Sequence, residues 1–413
     1  MTKRKFRSLL LGAVSLATLA APLQAQDLTA DVMHWWNAGN EAEGVKVLAK
    51  AYDAAGGTWV DRPVPGMEAA MATGISAVVS GTAPAAMQFN INRQLKELAA
   101  SGMLSDVTDY AKRDGWIDQV PQALLKSISV DGHIYALPVV VQNYTTVWTV
   151  KSTFEKAGVT YPKTWDDFMA SLEAFKKAGI IPLAKSGEPW SDMLFVQAIM
   201  LFSGHRDMFD ALFTEGDIDK LNSPAFLDVA RTIRQVVAYT DPGAPSRTWD
   251  QADTLLVQGK AAYTFMGDWA KGSFTSAGLT PGQDFTCELG IGKNQFFVLI
   301  GDTFVLPKNA KKTEAQSLFA KVVMDAPTQV DFTNARGGKS PRLDAVPTQS
   351  DGCTDYQQQF AANGGTQLMN TSAEMSGDRF GAVNDAVSQY INTPSMTPET
   401  FQQMIVQAIE STE

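Results

Sequence analysis

The stretch 31-DVMHWWNAGNEAEGVKVLAKAYDAAGG-57 decides the fold class. With the residue before it, its opening reads as a strand, 30-ADVMHWW-36. A helix then starts at Glu41, with Ala42, Val45, Leu48, Ala49 and Tyr52 at helical spacing before Gly56-Gly57 ends the pattern. Asn40 is expected to cap that helix, with Glu43 returning the bond as in a capping box. The spacing predicts a second helix over 67-MEAAMATGISAVVSG-81, an apolar stretch 84-PAAMQFN-90 and a third helix over 91-INRQLKELAASG-102. Strand and helix in alternation favour an α/β fold with helices on the faces of parallel sheets, and place binding groups at the loops after the strands. Trp35 and Trp36 are neighbours on the extended segment and so point to opposite faces: one ring can enter the core while the other stands free.

Further along, 131-DGHIYALPVVVQNYTTVWTV-150 is long, β-branched and aromatic, with Pro138 interrupting it, as suits a strand passing from one domain to the next. A helix follows at 164-TWDDFMASLEAFKKAG-179, with a capping box from Thr164 to Asp167 and an apolar face of Trp165, Phe168, Leu172 and Phe175. Another, 223-SPAFLDVARTIRQVVAY-239, has Ser at the cap and Pro in the first turn. After 300-IGDTFVLPKNA-310 come helical stretches at 313-TEAQSLFAKVVM-324 and 326-APTQVDFTNA-335, then a glycine-containing turn, 336-RGGKSPRLD-344. No internal repeat, heptad run or low-complexity block interrupts the chain.

Residues 1–25 read as a secretory signal: Lys3, Arg4, Lys5 and Arg7, then the apolar run 9-LLLGAVSLATLAAPL-23, then Ala25 as the cleavage point. No later segment approaches the ~20 uninterrupted apolar residues of a membrane span, so no direct membrane insertion is expected. Removing those four cations takes the net charge from −10 to −14, which excludes nucleic acid as a partner. Of 413 residues, removing 25 leaves 388, beyond the usual size of one hydrophobic core, and two domains are expected. The two cysteines, Cys287 and Cys353, give no metal or redox spacing. In an oxidising compartment they are expected to form one disulfide, the alternative being two buried thiols.

The search for catalytic motifs is negative: there is no GxSxG, Walker, GxGxxG or HExxH sequence. His34, His133 and His205 are scattered without ligand spacing, so neither metal nor cofactor is expected. Asp166-Asp167 is explained by the helix cap and dipole. What remains is tryptophan beside polar groups: Trp35-Trp36, Trp190 in 188-EPWSD-192, Trp249 in 247-RTWDQAD-253 and Trp269 in 266-MGDWAKG-272. A pyranose has an apolar face and a fringe of hydroxyls, so its sites combine aromatic platforms with carboxylates, amides and cations. These loops have that composition, though each tryptophan taken singly fits a core position equally well.

The segment 248-TWDQADTLLVQGKAAYTFMGDWAKG-272, followed by 301-GDTFVLPKNAK-311, resembles the extracytoplasmic sugar-binding proteins of ABC importers, and within them the monosaccharide branch typified by bacterial glucose-binding proteins. The WW pair followed by Glu41, 163-KTWDDF-168 and 332-FTNARGGKSPRLD-344 extend the resemblance over nearly all of the chain after residue 25. It implies a two-lobed periplasmic-binding-protein fold of type II-like form with the ligand cleft between lobes. Lobe 1 is then expected from 26–140 plus about 303–348, and lobe 2 from 141–302 plus about 349–413. It also implies a monomer in the periplasm that captures a monosaccharide or simple derivative for ABC permease transmembrane subunits, with no chemistry on the sugar. By position, Trp35 and Trp36 resemble ring platforms, Glu41 a hydroxyl acceptor, Trp249 and Trp269 further walls, Asp302 the central carboxylate, and Asn90 and Gln142 polar contacts. Where the glucose binders have a lysine before the glycine turn this chain has Arg336, with Lys339 nearby. Where they have a C-terminal histidine it has 374-EMSGDRFGA-382 with Arg379. These arginines suit an acidic or substituted sugar, or simple repacking around an ordinary hexose. The competing reading is a secreted glycoside hydrolase with a carboxylate pair drawn from Glu41, Asp268 and Asp302.

Overall fold

The computed structural model describes residues 27–346, 352–353, 356, 360, 363–370 and 375–412. The segment expected to be a signal peptide lies outside the described residues. Among those described, no helix is long and apolar enough to cross a membrane.

The expected alternation is present. Strand β1 (Thr29–His34) leads into α1 (Gly39–Ala54), β2 (Thr58–Pro63), α2 (Met67–Ser80) and β3 (Ala86–Asn90). β1 pairs in parallel with both β2 and β3. Two longer strands complete this first sheet, β4 (Ala136–Asn143) and, much later, β9 (Phe297–Val305), each antiparallel to its partner in the register Asp302↔Asn90 and Gly301↔Val141. Short β10 (Gln367–Met369) runs parallel to the start of β9. The second sheet contains β5 (Thr146–Val150), β6 (Ile181–Ala184), β7 (Ala261–Met266) and β8 (Phe285–Glu288) in the order β8-β5-β7-β6. Every residue of β5 and β7 is buried, as the β-branched and aromatic content of TVWTV and AAYTFM requires of central strands.

Two separate cores result. One gathers Val32, Leu48, Phe89, Val140, Phe304 and Phe332; the other gathers Trp148, Phe168, Leu172, Phe265, Phe285 and Tyr390. The segment 131–150 passes between them, its β4 portion in the first sheet and β5 in the second. β9 also reaches both: Phe304 and Val305 pack in the first core and Val298 in the second. Cys287 and Cys353 are disulfide-bonded beside the second core.

The helix signals fare unequally. Thr164 and Asp167 form a reciprocal capping box at the start of α3 (Trp165–Lys177), and Phe168, Leu172 and Phe175 are buried. Asn40, by contrast, is not the cap of α1. Ala38 holds that position without a side-chain bond, and Asn40 sits buried in the first turn with its amide donating to the carbonyls of Arg336 and Trp269. Its tertiary partners outcompete the local cap, and Glu43 pairs with Lys46 on the surface. The third helix begins at Arg93, capped by Asn92, two residues later than its apolar pattern suggests.

Candidate functional site

A cleft of about 520 Å³ lies between the two cores. β1, β3, β4 and β9 deliver Trp35, Asn90, Gln142 and Asp302 to it, the first two at the carboxyl ends of parallel strands, where an α/β sheet exposes its loops. Glu41 comes from the first turn of α1. Arg336 is the last residue of α8, for which the preceding helices are α4 (Pro189–Phe202), α5 (Pro224–Val237), α6 (Trp249–Val257) and α7 (Thr313–Val323), and which itself spans Ala326–Arg336. α8 reaches this place because Gly44 has no side chain: a Cβ there would lie 2.8 Å from Arg336 Cβ and 3.0 Å from the Phe332 ring. Beyond Arg336 the chain turns through Gly337 (φ +90°) and Gly338 (φ +86°), where a Cβ at Gly338 would come within 2.5 Å of Val140.

Arg336 organises the polar end. It is 1% exposed, and its Nη2 donates to Glu41 Oε1 and Asp302 Oδ2, each at 3.1 Å. With its amide turned to satisfy both neighbours, Gln142 accepts from Arg336 Nη1 at 2.7 Å and donates to Asp302 Oδ2 at 3.0 Å. The guanidinium stands 4.6 Å from the centre of the Trp36 ring, a cation–π contact. Burial pushes Glu41 up to about 7 and Asp302 up to about 6, in both cases against the opposing pull of Arg336. The two carboxylates thus share one cation and retain unused acceptor capacity toward the cleft, which suits ligand hydroxyl groups.

The second core contributes the aromatic walls. Trp190 and Trp249 open α4 and α6, and Trp269 lies in the 3₁₀ turn Asp268–Ala270. Trp190 and Trp269 are 5.9 Å apart between ring centres, and Tyr144 adds a fourth ring 6.1 Å from Trp269 while donating to the Trp190 carbonyl at 3.1 Å. Glu188 fixes the start of α6 by accepting from the Trp249 amide at 2.9 Å.

Of the twelve residues singled out from sequence, Trp35, Glu41, Asn90, Gln142, Trp190, Trp249, Trp269, Asp302 and Arg336 line this one cleft. Three do not. Trp36 is 1% exposed, packed on Phe304 and Phe332, and belongs to the core: the strand expected through residue 36 ends at His34, and just beyond it Trp35 lines the cleft while Trp36 is turned inward. Lys339 is drawn aside by the backbone pairing of residue 339 with Val141, its Nζ standing over the Phe297 ring. Arg379 does not line the cleft: its Nε donates to Thr412 Oγ1, and its guanidinium lies where a Cβ on Gly216 would come within 2.9 Å of it. Arg336 is in the cleft with Nη1 bonded to Gln142 and Nη2 to Glu41 and Asp302, while its buried Nε has no hydrogen-bond partner among the described residues. Asp268 is buried off the cleft wall and accepts from the Asn143 amide at 2.9 Å. Sequence reasoning missed Met67, Met71 and Ile75 of α2, and Met375 and Phe380 from the second lobe. The α2 set had a signal: its buried positions, Ala70, Gly74 and Val78, are the small ones, which leaves the larger side chains facing out.

Residues 19–329 match the family described as bacterial extracellular solute-binding protein. A probable sugar-binding periplasmic protein of Brucella suis is 32% identical over 82% of this chain and 81% of its own length. Among solved structures, the bacterial solute receptor AcbH, described as having an exclusive preference for β-D-galactopyranose, superposes with a TM-score of 0.79 at 19% identity, covering 93% of this chain and 97% of its own. A chitin oligosaccharide binding protein superposes equally well, with a TM-score of 0.79 at 19% identity over 93% and 98%. The chain belongs to the bacterial extracellular solute-binding protein family, whose members bind solutes and are not enzymes.

Proposed function

We propose that this member of the extracellular solute-binding family is the sugar receptor of an ABC import system, working in the periplasm and handing an unaltered monosaccharide or simple derivative to permease subunits. The observation that carries the reading is the pairing, across one cleft, of Glu41 and Asp302 on the first lobe with Trp190, Trp249 and Trp269 on the second. A pyranose set between them offers hydroxyls to the carboxylates and an apolar face to the rings. Kinship with a probable sugar-binding periplasmic protein supports the solute class. Glu41 and Asp302 act here as hydroxyl acceptors, each steadied by Arg336. The lobes are taken as 26–140 with about 303–348, and 141–302 with about 349–413, and the protein as a monomer.

The test is a thermal-shift screen against hexoses, pentoses, uronic acids, polyols and glycosides, followed by calorimetry on the best ligand and chromatography after prolonged incubation. A receptor is stabilised by its ligand and returns it intact. A hydrolase would release reducing sugar from a glycoside. Absence of stabilisation by any sugar would overturn the reading.

A further inference from the structure

We infer that Gly272 sets the width of the cleft: it is the seat on the second lobe against which Asn40 of the first lobe rests, and so fixes the span between the carboxylates on one side and the Trp269 wall on the other. The inference rests on the sugar reading above and adds to it a residue pair outside the cleft lining on which affinity depends. Gly272 is the second residue of a short helix, Lys271–Ser276, whose Phe274 is buried in the second core. Unlike Gly337 and Gly338 it does not have a positive φ, so its backbone suits other residues as well as glycine. What excludes a side chain is the facing lobe. A Cβ on Gly272 would lie 2.7 Å from Asn40 Cβ, and closer still to the Asn40 amide, where two carbons rest at about 3.5–4.0 Å.

Asn40 cannot give way by itself. Rotation about its side-chain bond would move the amide but not Cβ, and would break the bonds that Nδ2 donates to the Trp269 carbonyl at 3.3 Å and to the Arg336 carbonyl. A larger residue at 272 is therefore accommodated by moving its helix away from α1, by roughly 1 Å for alanine. The contact lies between the two chemical halves of the cleft. Glu41, the residue after Asn40, is bound with Asp302 by Arg336. On the other side the Trp269 ring occupies the place that a side chain on Gly267 would take, which keeps the ring on its own lobe. In 267-GDWAKG-272 the first glycine thus seats the wall and the last seats the facing lobe. When the gap widens, a sugar cannot keep both its hydroxyl bonds to the carboxylates and its contact with the ring, because both weaken steeply with distance.

The experiment is calorimetry on the parent, Gly272→Ala, Asn40→Gly and the double variant, with urea melts of each protein without sugar. The probe is whichever of D-glucose, D-galactose, D-mannose, D-xylose and their methyl glycosides the parent binds tightest. Gly272→Ala is expected to weaken binding by about fivefold or more. Its unliganded urea midpoint is expected to match or exceed that of the parent, because alanine suits a helix better than glycine. Asn40→Gly removes the obstructing atoms, so in that background Gly272→Ala is expected to cost less than about twofold. A smaller loss than expected in the parent background, a loss accompanied by a lower midpoint, or a larger loss than expected in the Asn40→Gly background overturns the inference and leaves the sugar reading standing. Should Asn40→Gly fail to fold or bind, the first two comparisons decide alone. Failure of the parent to bind any of these sugars, or any in the screen above, overturns the two together.

Discussion

Replacing Arg336 with methionine tests the charged end of the cleft directly. In the parent, one Nη2 serves Glu41 and Asp302, each at 3.1 Å, and Nη1 serves Gln142 at 2.7 Å, in a residue that is 1% exposed. Methionine keeps much of the packing on Trp36 but leaves two neighbouring carboxylates without their cation. Breaking a buried ion pair by removing one partner costs roughly 3–5 kcal/mol, and that is the loss expected at pH 8, where both groups are ionised in the parent. The loss depends on pH with a definite sign. Burial raises Glu41 to about 7 and Asp302 to about 6 in the folded parent, above the ~4 of unfolded carboxylates, so the folded protein binds more protons between those limits. Parent stability from these groups is therefore fully present below about pH 4 and declines as the pH rises toward 7. Without Arg336 both carboxyls are raised further, the decline is steeper, and protonation at pH 5 relieves most of the penalty. We expect a loss of about 1–2 kcal/mol at pH 5, mainly from unmade hydrogen bonds, against the larger loss at pH 8. Urea melts followed by tryptophan fluorescence without ligand measure both. Equal losses at the two pH values, or a loss under about 1 kcal/mol at pH 8, would refute the shared-cation reasoning.

Trp36→Ala should cost about 3–5 kcal/mol in denaturant melts, as a large core ring does, whereas Trp35→Ala should weaken sugar binding in calorimetry with little loss of stability; the reverse pattern would exchange their roles. Uronic acids should bind at least tenfold more weakly than the matching neutral hexose, because both terminal nitrogens of Arg336 are already bonded within the protein and Glu41, Asp302 and Glu188 repel an anion; equal affinity would show that the arginine re-pairs. Reducing the Cys287–Cys353 bond, whose ends are 66 residues apart, should lower stability by about 4 kcal/mol in the chain-entropy account, read as a shift of the melting midpoint with reductant. Small-angle scattering should show a smaller radius of gyration when sugar is added, and an unchanged radius at saturation would speak against closure of the lobes.

How far the sequence was readable depended on whether a residue's partners were local. β1, α1, α2, β3 and the Thr164 capping box depend on neighbours in the chain and are present as predicted, whereas β2, a largely exposed edge strand of TWVDRP, has no apolar alternation to announce it. Asn40 has the same capping chemistry as Thr164, but residues 269 and 336 claim its amide, and no local pattern carries that information. The WW pair shows the same divide. Alternation requires one ring in and one out, while the choice of Trp36 as the inner ring follows from Phe304 and Phe332, hundreds of residues away. Arg336 could be placed near the cleft by resemblance, but its commitment to two carboxylates follows from the close approach of α8 to Gly44. Lys339 and Arg379 stand near the right points in the chain for ligand donors, but the backbone pairing of residue 339 with Val141 and the bond of Arg379 to Thr412 set them outside the cleft lining.

The distribution of chemistry between the lobes has a consequence for how the proposed receptor works. Glu41, Asn90, Asp302 and Arg336 belong to elements of the first core, whereas Trp190, Trp249 and Trp269 pack on the second. The first lobe also brings Trp35 and the second Glu188, so each lobe holds both a ring and a carboxylate, with three of the four cleft tryptophans on the second lobe. Asn40 links the lobes without ligand, its amide reaching from α1 to the Trp269 carbonyl at 3.3 Å and to that of Arg336 on its own lobe. This bond joins the base of one platform to the end of the helix that carries the shared cation. Rings and carboxylates are held in register before a sugar arrives, so less ordering remains to be done when it binds.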